Sequence, residues 1–486
     1  MKHRYNLIVI MLVGLVFVAN ANWPEFQGGS ANNGYSATFI NPLALDTIFK
    51  MQLASYMNAS PIVMGDTLYA ACTEGQVYAV HYKTGRLLWQ KDLPGGIEGS
   101  PAADAKRLYL GARNGVVYAL DRFSGNEVWH FEIGDTVAGE KEIQCHIKLQ
   151  NGRLYFGAFN GMVYCLDTSG LLHWTFSTHF YIRNGIAVQA NRVVVASQDG
   201  ALYCLQDTGE GCVAQWIHHG LIPQSMLHRA APLLLDTFII ESYVEAELSH
   251  KLRVFSVNGP TILQEMATDL NANGFAGVGH HFYYDHQGCN DTTWKNMYSI
   301  VAIPAGDYLS LLRSNAPPII MGAWTIHHSS VYPKAILIVD RLTGKVAANL
   351  ALSGYSISSP LCASDEALFF GTYEKWVLGL GSRYGTGVSS VKPGTEANQV
   401  LEAFPNPFNP KTAIKFLLAK DGPVTVTVFN VKGQQVWANT KVFKSGHRSI
   451  LWNAKDGSGK ALPTGVYFVK LNSIDKVAVL RVVLAR

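Results

Sequence analysis

One short stretch of the chain concentrates side chains that bind metal ions. Residues 280–291 read HHFYYDHQGCND, which combines imidazole, carboxylate and thiol groups, the ligands of zinc and related metals. The candidate ligands are His280, His281, Asp285 and His286. Adjacent histidines on a strand point to opposite faces, however, and reach one ion only across a loop. A metal site therefore competes with ordinary loop or edge histidines, and the second interpretation is favoured.

Three basic residues, Arg183, His228 and Arg229, lie where predicted strands begin. In a ring of sheets, such positions border the central channel, where ligands commonly bind. We therefore treat them as candidates for a ligand-facing mouth, with a solvated rim as the alternative because charged side chains are mostly exposed. No Ser-His-Asp spacing, phosphate loop or glycine fingerprint assigns a catalytic residue.

Cysteine usage and charge narrow the classes of function further. Seven cysteines follow residue 21, and none is part of a C-x-x-C pair, which argues against a zinc ribbon or a thioredoxin-like site. Most are expected to be small buried side chains. Cys165 and Cys204 hold equivalent places in successive repeats, so a disulfide between neighbouring blades is the alternative for this pair. The formal net charge is +4 without a basic cluster, so no nucleic-acid partner is expected.

Residues 1–21 have the three-part pattern of a secretory signal peptide. Lys2 and Arg4 precede an apolar run from Leu7 to Val18, and small residues follow it. The run is too short to cross a bilayer comfortably, and no later stretch offers the roughly 20 apolar residues of a membrane helix. An exported mature chain with no transmembrane segment is expected.

The elements that would position these residues form an internal repeat, seen at residues 79–89, 119–129, 165–174 and 338–348. Each copy reads as a strand, a turn closed by glycine and a second strand, because glycine supplies the positive φ of a tight turn. A further hairpin, usually with Asn-Gly or Asp-Gly at its turn, precedes the turn in the first four repeats. The turn glycines lie 38 to 50 residues apart. Four short strands at this period predict β-propeller blades.

Eight blades are predicted, or seven if the sixth repeat is an insertion. The last repeat starts at Ser359 and lacks its fourth strand, which Asp46 to Leu53 supplies from the other end of the chain. Such a splice leaves no open sheet edge in the ring. Large aromatic rings on the fourth strands are predicted to dock against adjacent sheets; these are Trp89, Trp129, Trp174 and Trp216.

Residues 23–36 (WPEFQGGSANNGYS) resemble the entry segment of pyrroloquinoline-quinone-like propellers, and A-x-D-x-x-T-G-x-x-x-W resembles their tryptophan-docking motif. For an enzyme of this family, the resemblance implies a vicinal cysteine pair, acidic and amide ligands for calcium, and an aspartate base. No two cysteines are adjacent, and the other ligands find no match. No cofactor is therefore expected, and pyrroloquinoline quinone or calcium belongs only to an alternative function.

The C-terminal region has its own pattern of alternating strands, predicted at residues 413–418, 424–430, 435–443, 447–453, 465–472 and 476–484. This number of strands suits a small β-sandwich. FPNPFNP at 404–410, with residues 428–434, 452–459 and 465–468, resembles the type IX secretion C-terminal sorting domain, which is related to an immunoglobulin-like module. The resemblance implies export across the outer membrane by the secretion machinery. The short basic ending RVVLAR leaves anchoring or release open, and a sandwich without a targeting role is the alternative.

Together these patterns predict an all-β protein: a signal peptide at 1–21, an eight-bladed propeller at 22–385, a linker at 386–400 and an immunoglobulin-like sandwich at 401–486. The predicted function is a secreted or cell-surface, non-catalytic propeller that binds a protein or glycan partner. The alternative is a quinone- or metal-dependent oxidoreductase.

Overall fold

The computed structural model divides the chain into two compact units, residues 1–388 and 389–486, and each is described by itself. It describes residues 22–36, 45–134, 140–183, 185–219, 227–228, 230–245, 249–268, 275–278, 281–284, 317–322, 324–329, 335–340, 346–352, 354–364, 367–382, 401–404, 408–418, 420–430, 434–473 and 477–484. The described part contains one 3-10 turn, Phe26–Gly28. It contains no helix that is long and apolar enough to cross a membrane.

Sheets 1 to 4 of the first unit are four-stranded antiparallel meanders, one for each sequence repeat. Their second and third strands are almost wholly buried, because sheets pack against them on both faces. The strands are Ile62–Met64, Thr67–Ala71, Gln76–His81 and Arg86–Asp92 in sheet 1; Ala102–Ala103, Arg107–Gly111, Val116–Asp121 and Glu127–Glu132 in sheet 2; Lys148–Gln150, Arg153–Gly157, Met162–Asp167 and Leu172–Ser177 in sheet 3; Ile186–Gln189, Arg192–Ala196, Ala201–Asp207 and Cys212–His219 in sheet 4.

Sheets 5 to 8 complete the first unit. Their strands are Leu227–His228, Leu233–Leu234, Phe238–Glu245, Ser249–Ser256 and Ile262–Thr268 in sheet 5; Phe275–Val278 and His281–Tyr284 in sheet 6; Tyr35–Ser36, Ile319–Met321, Trp324–Ser329, Ala335–Asp340 and Val346–Ala351 in sheet 7; Leu45–Gln52, Cys362–Ala363, Ala367–Gly371 and Trp376–Ser382 in sheet 8.

The eighth sheet joins the two ends of the propeller. Leu45–Gln52 pairs antiparallel with Trp376–Ser382, which confirms the predicted splice. Repeated four-stranded meanders closed in this way form a β-propeller. The number of blades stays a prediction, because most of the sixth repeat lies outside the described residues.

A β-bulge recurs on the outer strand of sheets 1 to 4, immediately before the tryptophan. Trp89 faces Ala79, whereas Leu87 faces Val80, so one residue is left unpaired between them. The same shift precedes the tryptophans of the next three sheets. A bulge re-aims the side chain beside it, and here it turns the indole toward the following blade.

The indoles bind the turns of the next sheets. Trp129 donates from Nε1 to the carbonyl oxygen of Thr168 at 3.0 Å, and Trp216 donates to that of Val257 at 3.2 Å. Trp174 is also buried, but its Nε1 has no hydrogen-bond partner among the described residues. An indole hydrogen bond thus joins sheet 2 to sheet 3 and sheet 4 to sheet 5. Trp174 makes no such bond between sheets 3 and 4 among the described residues.

The second unit contains two antiparallel sheets with a shared core. One sheet joins Leu401–Phe404, Thr412–Leu418 and Gly446–Trp452, and the other joins Gln435–Phe443, Gly422–Asn430, Gly465–Ser473 and Val477–Leu484. Phe408, Trp452 and Tyr467 pack in the core with ring centroids 5.3 to 5.6 Å apart. The immunoglobulin-like relationship of this unit stays a prediction.

Candidate functional site

The N-terminal segment, residues 22–36, runs through the centre of the propeller. It makes main-chain hydrogen bonds to the first strands of successive sheets: Trp23 to Val63, Pro24 to Ala103, Ser30 to Val188, Ala31 to Leu234 and Gly34 to Ile320, at 2.6 to 3.0 Å. One short segment can touch all these strands only if they surround a common channel. The segment therefore fills one end of that channel.

A buried pair of opposite charges fastens the segment to sheet 3. Lys148 Nζ donates to the carbonyl oxygen of Phe26 at 3.1 Å, and the Leu149 N–H donates to Glu25 Oε2 at 3.2 Å. Burial raises the pKa of Glu25 to about 7, although the Lys148 charge opposes the shift. Burial likewise lowers the pKa of Lys148 to about 8 against the Glu25 charge.

His146 lies in the same buried region and links neighbouring sheets. Its ring stacks on Phe26 with centroids 3.7 Å apart, and its Nδ1 accepts the Ser100 N–H at 2.9 Å. Ser100 Oγ in turn accepts the Ser60 N–H at 2.8 Å. Burial holds the pKa of His146 well below its ordinary value, so the ring serves as a neutral acceptor at pH 7.

Gln27 and Asn32 complete the filled end of the channel. The Asn32 amide nitrogen donates to the carbonyl oxygens of Ile186 and Pro232, at 2.9 and 2.8 Å, and so holds sheets 4 and 5 together. At Gly34, with φ of 59°, an added Cβ would lie 2.0 Å from Gln27 Oε1. It would also lie 2.9 Å from the Ala276 Cβ, and the positive φ itself favours glycine.

The residues just before the first strands form the other end of the channel, which we call the mouth. Two groups of hydrogen-bonded polar residues lie there, and we call them together the mouth network. Asn58 and Glu98 link sheets 1 and 2, and Arg113, Glu142, Gln144 and Arg183 link sheets 2, 3 and 4. Arg113 binds Glu142 through two hydrogen bonds of 3.2 and 3.1 Å. Arg183 Nε donates to Gln144 Oε1 at 3.2 Å, and Gln144 Nε2 donates to Glu142. Asn58 donates to Glu98 at 2.7 Å.

The charges of this mouth network stabilise one another. The pKa of Arg113 is raised by its hydrogen bond to Glu142, by the Glu142 charge and by the more distant charge of Glu98. Partial burial raises the pKa of Glu142, but the hydrogen bonds from Arg113 and Gln144 outweigh it, and the net shift is downward. Both groups therefore stay charged across the physiological pH range.

Aromatic rings lie on both sides of the mouth network. Tyr56 and Tyr373 contact each other with centroids 5.6 Å apart, beside sheets 8 and 1. On the other side, Tyr181 packs between Phe159 and Phe180 at 5.0 and 4.5 Å. Phe180 and Tyr373 are 42% and 52% exposed, so both groups offer free ring surface.

The structure places only part of the predicted site. Arg183 belongs to the mouth network, and His228 pairs through its backbone with Tyr243 in sheet 5, whereas Arg229 lies outside the described residues. His280, Asp285 and His286 also lie outside them, and only the backbone of His281 is described. Within the described ranges, no group of three or more His, Cys, Asp or Glu residues could hold a metal ion. The ligand and metal roles of these residues stay predictions.

Sequence reasoning missed the buried Glu25 and Lys148 and the mouth residues other than Arg183. A lysine in the short first strand of sheet 3, where the other repeats have apolar residues, was the available signal. The bridge left open between Cys165 and Cys204 is not formed, since both thiols are free.

Two family models match the chain. Residues 46–144 match the model described as outer membrane protein assembly factor BamB, and residues 402–485 match the secretion system C-terminal sorting domain. The chain combines pyrroloquinoline-quinone-like propeller repeats with a type IX sorting domain. The sorting domain implies secretion or a cell-surface location. The predicted signal peptide lies outside the described residues.

Solved structures share the fold of this propeller at low sequence identity. BamB from Moraxella catarrhalis is 15% identical with a TM-score of 0.51, over 71% of this chain and 99% of its own. A quinohemoprotein alcohol dehydrogenase from Pseudomonas putida is 13% identical with a TM-score of 0.53, over 80% and 83%. The computationally designed Ika8 protein is 12% identical with a TM-score of 0.51, over 69% and 99%. No curated protein sequence matches the chain.

The quinone that the propeller family implies does not fit the side chains described for this chain. The six described cysteines are widely separated in sequence and lie in buried or half-buried positions, so they form no vicinal pair. The carboxylates of Glu98 and Glu142 at the mouth already accept hydrogen bonds from Asn58, Arg113 and Gln144. These residues therefore do not provide the vicinal cysteine pair or the free acidic ligands that the resemblance implies for a quinone enzyme.

Proposed function

We propose that this protein is an exported, non-catalytic interaction module. Its propeller binds a protein or glycan partner at the cell surface, and its sorting domain engages the outer-membrane secretion machinery. The match of residues 402–485 to a sorting domain supports the second part.

The filled channel is the observation that carries the interaction role. Residues 22–36 make main-chain hydrogen bonds to sheets 1, 2, 4, 5 and 7, and Phe26 and Glu25 bind Lys148 and Leu149 of sheet 3, which makes the ring rigid and closes one end. The mouth, with its paired polar network and exposed rings, is the surface that remains for a partner. The proposal includes no cofactor and no catalytic residue.

The two halves of the proposal need separate experiments. Deletion of residues 402–485 should hold the chain in the periplasm, whereas the full chain should reach the medium or the cell surface, as read by fractionation. For the propeller, the natively purified protein is soaked with quinone and calcium and then studied by mass spectrometry and elemental analysis. Stoichiometric quinone or metal would favour the oxidoreductase alternative, and an empty propeller that is retained on cells would support the interaction module.

A further inference from the structure

The mouth network presents flat, rigid hydrogen-bonding groups. Its amide, carboxylate and guanidinium groups lie on the connections into sheets 1 to 4 and on one hairpin turn of sheet 2. Arg113 and Glu142 form a bidentate pair, and the other members are held by single hydrogen bonds. Side chains held in this way lose little entropy when a ligand binds. A guanidinium group has five N–H donors, and these bonds use two of those of Arg113 and one of those of Arg183. The donors that remain can bind adjacent hydroxyl groups of a sugar ring.

The aromatic groups beside the network add the second element of saccharide recognition. A pyranose ring has one or both faces made of C–H groups, and these pack on an aromatic face. Tyr56 with Tyr373 and Phe180 with Tyr181 provide such faces on opposite sides of the polar groups. Exposed rings flanking polar groups are typical of binding sites for partly apolar, partly polar ligands.

The charge balance indicates which saccharides fit. Glu98 and Glu142 are matched by Arg113 and Arg183, and all four hydrogen-bond within the network: Glu98 to Asn58, Glu142 and Arg113 to each other, and Arg183 to Gln144. The network therefore has no net formal charge, and an acidic or basic polymer would gain no long-range attraction from it.

We infer that the mouth network and its two aromatic flanks bind a neutral saccharide chain laid across sheets 8, 1, 2, 3 and 4. The inference rests on the proposed function, because it names the class of partner and the residues that contact it. Since residues 22–36 fill the other end of the channel, the saccharide approaches from the mouth alone.

Calorimetric titration of the full-length mature protein tests the inference. The probes are cellohexaose, maltohexaose, xylohexaose and mannohexaose, with a polygalacturonate oligomer and a heparin hexasaccharide as acidic comparators. Binding of at least one neutral probe, tighter than either acidic one, is expected. Phe180→Ala and Tyr373→Ala should each weaken that binding at least about tenfold, because each removes one stacking face.

Phe123→Ala is the matched control. Phe123 is also an exposed phenylalanine, 68% exposed, but it lies in the turn between the third and fourth strands of sheet 2. Because the strands of a meander alternate in direction, this turn lies at the opposite ends of the strands from the connections that form the mouth. Its replacement should leave saccharide affinity unchanged, and equal thermal midpoints for all variants would show that each is folded. Absence of binding to every neutral probe, preference for an acidic probe, or equal loss in the control would overturn the inference.

A second measurement separates this inference from the proposed function. Labelled protein is applied to cells treated with periodate, which cleaves sugar diols, or with protease. Retention lost only after periodate treatment supports the saccharide. Retention lost only after protease treatment refutes the saccharide and keeps the interaction module, and absence of retention on untreated cells refutes both.

Discussion

The indole Nε1 of Trp89 donates a 2.9 Å hydrogen bond to the carbonyl oxygen of Arg122, in the turn of the next sheet. That turn contains Gly125, whose φ is 72°, and the Trp89 ring lies over it. An added Cβ at Gly125 would come within 2.7 Å of the ring. The glycine is thus required both for the turn and for the close approach of the indole.

Gly125→Ala should destabilise the propeller more than Gly85→Ala. Gly85 occupies the equivalent turn of sheet 1 with φ of 70°, but nothing lies within 4 Å of its added Cβ. Both changes force alanine into the left-handed region at about 1–2 kcal/mol. Only Gly125→Ala adds a clash, for which overpacking suggests about 1–3 kcal/mol more. Equal shifts in the urea midpoint would contradict the docking geometry.

Trp89→Phe should cost more stability than Trp174→Phe. The first change removes the hydrogen bond to Arg122, whose net contribution is about 1 kcal/mol, and leaves the Arg122 carbonyl oxygen with the Tyr69 hydroxyl, at 3.1 Å, as its remaining donor. The second removes an Nε1–H that has no partner among the described residues. Both changes take away similar ring area from a buried site, so each serves as the control of the other. Thermal unfolding followed by circular dichroism measures the difference, and the reverse order would refute this account of the seams.

The Glu25 and Lys148 pair should shape the pH dependence of stability. Because the pKa of Glu25 rises from 4.5 to about 7 on folding, the folded state binds the proton more tightly, and stability falls as pH increases between these values. Lys148 has a lowered pKa of about 8 against 10.5, so its contribution rises with pH between those two values. Thermal midpoints from pH 4 to 10 check both slopes.

Single variants of the pair assign each slope to one group. Glu25→Gln should lose the decline between pH 4.5 and 7, and Lys148→Met should lose the recovery above pH 8. At pH 7, Glu25→Gln should also be less stable than the parent, since Lys148 would keep a buried charge without its counter-charge. Profiles parallel to that of the parent protein would show that the two groups do not titrate as described.

The described cysteines should react slowly while the protein is folded. Burial raises the pKa of Cys72 and Cys165 to about 12 and that of Cys145 and Cys204 to about 11, and the thiolate is the reactive form. Cys212, half-buried with a pKa of about 11, should be alkylated first because it is the most accessible of these. Peptide mapping after iodoacetamide treatment at pH 8, with and without denaturant, measures the order. Rapid native labelling of Cys72 or Cys145 would contradict the burial.

The predicted architecture came from local patterns. Turn glycines such as Gly125 and Gly170, with φ of 72° and 92°, follow from the needs of tight turns, which involve only neighbouring residues. The pairing of Leu45–Gln52 with the last strand of sheet 8 was also predictable. The last repeat lacked its fourth strand, and the sequence before the first repeat contained a strand that belonged to no other repeat. The sorting domain strands likewise follow from simple alternation of buried and exposed residues.

The candidate site depended on contacts that no local pattern encodes. Glu25 and Lys148, or Arg113 and Glu142, are far apart in sequence, and they meet because residues 22–36 pass through the ring and the connections of successive blades converge at its mouth. Arg183 was found because its place before a first strand depends on the repeat alone, whereas its partner Gln144 lies one blade earlier. Sequence periodicity therefore determined the strands, turns and ring closure of this protein. Only the tertiary structure decided which charges are buried and paired, because that depends on distances across the closed ring.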